Sequence, residues 1–211
     1  MKGTLYLVNR AHPLPEEPSA EVLASVRSGQ TEVRLHQRAK VMLDQLLAAV
    51  GSVGAIVPVS GYRPQTEQQA IWEDALAEHG KAFTETYVAR PGCSEHQTGL
   101  AIDLGAAAEH IDFIRPAFPY DGAFRKAAAA YGFIQRYRRE KEALTGIAEE
   151  PWHFRYVGAP HARLMEENGL CLEEYPEFLR ERPRSCPLPD GRLAQVFYVP
   201  CAGEEMEIQL P

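Results

Sequence analysis

A chain of 211 residues, 45% hydrophobic and 24% charged, can bury one full core and suits one domain with an appendage better than two equal domains. Its formal charge of -7 leaves no basic footprint for nucleic acid or for an anionic membrane surface. No stretch approaches the roughly 18 apolar residues that a membrane span needs. The apolar run near the start is broken at Asn9 and falls short of a signal-peptide core, so the expected location is the cytoplasm.

Leu5 to Val8 predicts a short strand, followed by a polar loop through Pro13, Pro15 and Pro18. From about Thr31 to Val50, apolar Val33, Val41, Leu46, Leu47 and Val50 recur near helical spacing and Gly51 follows as a stop, which predicts the first core helix. The β-branched run Ala55 to Val59 predicts a strand leading into Ser60-Gly-Tyr-Arg-Pro64. Pro64 forces Arg63 into extended backbone, and Thr66 with Gln69 forms a capping box for a helix to about Gly80. Lys81 to Arg90 reads as irregular.

Pro91 to Asp103 places a serine, a histidine, two glycines and a carboxylate in one short segment that ends as an apolar strand, Leu100 to Leu104. Asp121 is a candidate N-cap for a helix whose Phe124, Ala127, Ala128 and Tyr131 share a face and which Gly132 ends. Gly132 to Ile134 enters another strand, Arg136 to Gly146 reads as a charged exposed loop, and Glu149 to Val157 is an aromatic strand. Two closing helices are expected over Pro160 to Gly169 and Leu172 to Leu179. After Pro183 a turn cluster precedes two candidate hairpin strands, Ala194 to Val199 and Glu205 to Leu210. Helices and strands that do not alternate strictly predict an α+β fold, with helices flanking a small antiparallel sheet. The expected division is a domain over 1–182 and a β-hairpin-like appendage over 183–211.

Cys93, Cys171, Cys186 and Cys201 form no C-x-x-C pair and read as reduced thiols. A catalytic zinc site takes three protein ligands and leaves a position for water, and His96, Asp103 and His153 are the set of choice. A carboxylate on an apolar strand asks for a cation, and His153 lies in a similarly apolar run. Singly, each has a plainer reading as a hydrogen-bonded core histidine or a strand-end cap; together they fall in the two segments least like generic structure. Cys93 reads as packing or as support behind the ligands, because a thiolate site needs further cysteines nearby.

Glu150 lies three residues before His153 with Pro151 between. Strand alternation would put them on opposite faces, and proline excludes a helix interior, so they converge only at a bend. A carboxylate there suits the acid and base work of amide hydrolysis; otherwise Glu150 is a solvated glutamate like Glu149. Arg63, at a tight corner, is a permanent cation for a developing oxyanion or a substrate carboxylate. Ser94 lacks a G-x-S-x-G elbow and reads as a substrate contact. Lys81 to Cys93 and Arg136 to Glu149 are the expected pocket walls.

At these residues the chain resembles the VanY/VanXY group of zinc D,D-peptidases, D-alanyl-D-alanine carboxypeptidases and dipeptidases tied to vancomycin resistance. The pattern S-x-H-x-x-G-x-A-x-D followed by E-x-W-H is matched by Ser94, His96, Gly99, Ala101 and Asp103 and by Glu150, Trp152 and His153, and S-G-Y-R by Ser60 to Arg63. The resemblance implies Zn2+ on His96, Asp103 and His153, Glu150 as catalytic base, Arg63 stabilising the transition state, Ser94 and Trp152 on the substrate side, and a fold shared with lysostaphin-like peptidases and hedgehog domains. It implies removal of the last D-Ala from peptidoglycan precursors ending in D-Ala-D-Ala, or cleavage of the D-Ala-D-Ala dipeptide, so that vancomycin loses its target. The alternatives are an L,D- or endopeptidase of the same fold and a zinc-stabilised binding module without turnover.

Overall fold

A computed structural model describes residues 3–28, 31–107, 112–114, 118, 120–188 and 191–199. The chain opens with an antiparallel ribbon, β1 (Leu23–Ser28) on β2 (Thr31–His36), and passes directly into helix α1 (Gln37–Ala49). β3 (Ile56–Ser60) and helix α2 (Gln65–Tyr87) follow, then β4 (Ala101–Ala106), the short β5 (Asp112–Phe113), α3 (Asp121–Ala128), β6 (Phe133–Tyr137), α4 (Glu142–Thr145) and β7 (Glu150–Tyr156). Helices α5 (Ala159–Glu167) and α6 (Tyr175–Glu181) precede a final ribbon of β8 (Arg184–Pro187) and β9 (Leu193–Val196). The central sheet runs β3-β4-β7-β6 with β5 on β4, all antiparallel, so the architecture is α+β with a small antiparallel sheet and flanking helices.

Strand alternation divides the central sheet into two chemistries. Ile102 and Leu104 of β4 and Phe154 of β7 join Leu35, Leu43, Leu46, Ile56 and Phe124 in the main core. Each such side chain contributes about 1.5–3 kcal/mol on full burial. The other face carries Asp103, His153 and Arg155, all buried. A second apolar cluster, with Ile134, Val157, Met165, Leu172 and Tyr175, lies under α5, α6 and the final ribbon. Among the described residues, no helix is long and apolar enough to cross a membrane.

Several elements differ from expectation for local physical reasons. Thr31–His36 is a strand rather than the first turns of a helix, with Val33 and Leu35 buried on alternate positions. Leu5–Val8 forms no strand; Arg155 Nη2 donates to the Thr4 and Tyr6 carbonyls at 3.0 and 2.8 Å, satisfying the segment by a side chain instead of a ladder. Pro64, not a Thr66 box, stands at the α2 N-cap, and the first-turn Gln65 N–H donates to Glu17 Oε1. That helix continues to Tyr87 through a kink at Gly80, where φ is 77°. Arg136 is buried in β6, not in an exposed loop. β9 pairs with Arg184–Pro187, while Glu205 to Leu210 and Cys201 lie outside the described residues.

Candidate active site

The sheet register assembles the site. Asp103 on β4 stands opposite Ser60 on β3 and opposite His153 on β7, so a line of polar groups crosses three strands. The pairing of β6 with β7 slips between Gln135 and Tyr137, where two residues of β6 span four of β7. This irregularity at Pro151 is the bend that brings Glu150 to His153: Glu150 Oε2 lies 3.7 Å from His153 Nδ1.

His96 enters from a single 3-10 turn, Glu95–Thr98, ahead of β4. Thr98 Oγ1 donates to the Glu95 carbonyl and accepts from Leu100 N, and Gly99 at φ 69° reverses the chain into the strand. His96 Nδ1 lies 2.7 Å from the Gly61 carbonyl. A carbonyl only accepts, so Nδ1 carries the proton and the Nε2 lone pair points to Asp103 Oδ2 at 3.3 Å. His153 Nδ1 is 2.9 Å from Asp103 Oδ1. Ligand atoms of His96, Asp103 and His153 all lie within 4.8 Å of one another, and all three residues are buried.

Burial and charge tune these groups in opposite directions. Desolvation dominates at Glu150 and lifts its carboxyl to about 7, against the pull of His153 and Arg63. Burial also lowers the His96 imidazole, though Asp103 opposes it. At His153 burial is outweighed by the hydrogen bond to Asp103 and by the charge of the nearby Glu95, Asp103 and Glu150 carboxylates, which carry the metal-free imidazole up to about 10. The two histidines hold Asp103 far below the ordinary carboxylate range despite its burial.

Arg63 is fixed by two side-chain bonds, Nη1 to Gln68 Oε1 at 2.8 Å and Nη2 to Ser60 Oγ at 2.9 Å. Its backbone N–H donates to the His96 carbonyl, tying the corner after β3 to the 3-10 turn that carries His96. A cavity of about 140 Å³ gathers all seven predicted site residues: His96, Asp103, His153, Glu150, Arg63, Ser94 and Trp152. Trp152 stacks on Phe113 with ring centroids 4.8 Å apart. Tyr87, Val88 and Ala89 form one wall and Tyr137 and Ile147 another, from the two segments expected to line the pocket. Cys93 lies in an adjoining cavity of about 140 Å³ that shares Val88, Ala89, Tyr137 and Ile147 with the first.

Sequence reasoning passed over Glu95, Arg136 and Arg155. Glu95 is fully buried, with Oε1 2.8 Å from Arg136 Nε and 2.9 Å from Arg155 Nη1. The two guanidiniums overcome its burial and hold the carboxyl far below its ordinary range. The sequence neighbours Ser94, His96, Gln97 and Thr98 are polar, so no local pattern marked this glutamate as buried.

Residues 32–159 match the family described as VanY, D-alanyl-D-alanine carboxypeptidase. The chain is 41% identical over 186 residues to the bifunctional D-Ala-D-Ala dipeptidase and D-Ala-D-Ala carboxypeptidase VanXYC of Enterococcus gallinarum, covering 86% of this chain and 98% of that one. Its structure is similar to the vancomycin resistance D,D-dipeptidase VanXYg in complex with a D-Ala-D-Ala phosphinate analog, with a TM-score of 0.85, 44% identity, and coverage of 94% of this chain and 82% of that chain. It is also similar to a mutant of the vancomycin resistance D,D-pentapeptidase VanY in complex with Zn(II), with a TM-score of 0.68, 35% identity, and coverage of 82% of this chain and 98% of that chain.

Proposed function

The chain belongs to the VanY family of D-alanyl-D-alanine carboxypeptidases, and from that premise we propose that it is a zinc D,D-carboxypeptidase. In this reading it removes the terminal D-Ala from cytoplasmic cell-wall precursor pentapeptides and also cleaves the D-Ala-D-Ala dipeptide. The observation that carries the reading is the buried His96, Asp103 and His153 cluster facing Glu150 and Arg63 across one cavity.

The donor set suits zinc: two imidazoles and one carboxylate with converging ligand atoms. The Gly61 carbonyl occupies the far nitrogen of His96 and so leaves Nε2 as its ligand atom. When bound, zinc supplies Lewis-acid polarisation of the scissile carbonyl and of the attacking water. Glu150, largely buried at the edge of the cavity, would take a proton from the attacking water and deliver it to the departing amine of D-Ala. Arg63, held rigid by Gln68 and Ser60, faces the developing oxyanion without a reorganisation cost at the moment of reaction. Ser94 and Trp152 line the same cavity and contact the substrate.

The adjoining cavity past Val88, Ala89, Tyr137 and Ile147 gives the remainder of a longer precursor peptide a place to lie, which favours carboxypeptidase activity beside dipeptidase activity. The test is D-alanine release by purified, zinc-loaded protein from D-Ala-D-Ala, from a pentapeptide precursor and from an L,D-linked tetrapeptide. Release from the first two is expected. Release from the tetrapeptide alone would reassign the enzyme as an L,D-peptidase, and zinc binding with no release from any substrate would leave a binding module.

A further inference from the structure

Glu95 sits between two predicted site residues, Ser94 and His96, lines the same cavity at its inner wall and is buried. Its Oε1 is engaged by Arg136 and Arg155. Its Oε2 is buried without a hydrogen-bond partner, as is Nε2 of His153. These two atoms lie 3.6 Å from each other. A closer approach of under an ångström would give both a charge-assisted hydrogen bond, typically about 2.7–2.9 Å long.

We propose that Glu95 is the positioning residue of the His153 ligand, its Oε2 accepting the Nε2 proton so that Nδ1 is presented to the metal. The inference rests on the zinc reading above. A metal-bound imidazole must be neutral, and its other nitrogen donates to a carbonyl or carboxylate that fixes tautomer and ring orientation. His96 has such a partner in the Gly61 carbonyl. On His153, Nδ1 already faces Asp103 and Glu150, so Nε2 is the nitrogen left to donate, and it faces Glu95. The two histidines are therefore oriented by different acceptors, one neutral and one anionic, and the anionic one makes His153 the more basic ligand.

The anchor is itself anchored. Arg136 Nη1 and Nη2 reach Glu173 at 2.9 and 2.6 Å, and Arg155 Nη2 holds the N-terminal segment at Thr4 and Tyr6. Glu95 therefore links the ligand ring to the N-terminal segment and to the segment just before α6. The competing role for Glu95 is charge neutralisation of two buried arginines, with no bearing on the metal.

The deciding measurement is a nitrogen-15 correlation spectrum of the histidine rings in the zinc-loaded full chain. His153 is expected as the Nε2–H tautomer, with a downfield proton that exchanges slowly with solvent. Zinc bound with His153 Nε2 unprotonated, or with a proton exchanging as fast as in an exposed imidazole, overturns the role of Glu95 alone. Failure of the wild-type chain to take up one zinc overturns the parent reading and this one with it. A second arm uses Glu95→Gln: about 10–100-fold weaker zinc binding in chelator competition, with the Nε2 proton moved upfield, is expected. A folded Glu95→Gln protein with unaltered zinc affinity would leave only charge neutralisation; if the variant does not fold, the wild-type spectrum decides.

Discussion

Glu150 is the residue whose surroundings say most about its work. It approaches His153 to 3.7 Å, and in the metal-free site burial lifts its carboxyl to about 7, which suits a group that must both take and give a proton. Replacing Glu150 by Ala should lower turnover about 10²–10⁴-fold while leaving zinc binding by chelator competition within a few-fold of the parent; unchanged turnover would remove Glu150 from the mechanism. Motif spacing made Glu150 legible, because Glu-Pro implied a bend, whereas Glu95 was hidden by the same spacing: nothing local tells that its partners, Arg136 and Arg155, come from two other strands. A different titration is expected far from the site. His161, with Nδ1 3.0 Å from the Tyr175 hydroxyl, is lowered by burial from 6.5 to about 4. A group whose folded pKa is depressed in this way binds its proton more readily when unfolded, so its contribution is present above about 6.5 and is lost as pH falls toward about 4. Urea unfolding at pH 7 and pH 4.5 should show His161→Asn losing on the order of 2 kcal/mol less than the parent across that interval. Equal losses in both proteins would show that His161 does not carry the acid sensitivity.

Elements were legible where a breaker separated them and obscure where one period ran into another. β3, β4, α3 and β7 stand near their expected places because glycine or proline brackets each. β2 was absorbed into α1 because no breaker lies between His36 and Gln37, and the period-two burial of Val33 and Leu35 sits beside a helical stripe. The consequence is more than a boundary error, since β2 supports the site. Tyr62 N donates to the Arg34 carbonyl at 2.6 Å, and His36 N donates to that of Gly99 at 2.8 Å, so the ribbon clamps both the arginine corner and the ligand turn. Gly61 lies in that clamp: a Cβ there would overlap the Arg34 carbonyl and stand 2.7 Å from Val33 Cγ1. Gly61→Ala should therefore cost about 1–3 kcal/mol, a fall in melting temperature of roughly 2–12 °C at 2–4 °C per kcal/mol. It should also weaken zinc binding, because the displaced carbonyl is the partner of His96 Nδ1. A lower melting temperature with intact zinc affinity would show that the Gly61 carbonyl does not orient the ligand.

At the scale of the whole molecule two apolar clusters share the central sheet, one filled from β2, α1 and α3, the other from α5, α6 and the last ribbon. The buried ion-pair chain Glu95, Arg136, Glu173 runs from the ligand turn to the segment before α6. The division proposed from composition, 1–182 as the peptidase domain and 183–211 as an appendage, meets a specific physical question here. The last ribbon buries Cys186 and Val196 in the second cluster, and Arg163 Nη1 donates to the Pro187 carbonyl, so it is packed on the domain and not merely attached. Yet the proposed zinc ligands stand on β4, β7 and the turn at Glu95, and the residues that orient them, Gly61 and Glu95, precede the ribbon by the length of the fold. A chain ending at Arg182 should accordingly lose the burial of Cys186 and Val196, about 2–4 kcal/mol and so roughly 4–16 °C of melting temperature, while still binding one zinc and releasing D-alanine from D-Ala-D-Ala. Thermal melting, zinc stoichiometry and D-alanine release on the two chain lengths measure the three quantities separately. If the shortened chain melts early and also loses its zinc, the ribbon belongs to the domain's folding unit and the boundary at 182 falls.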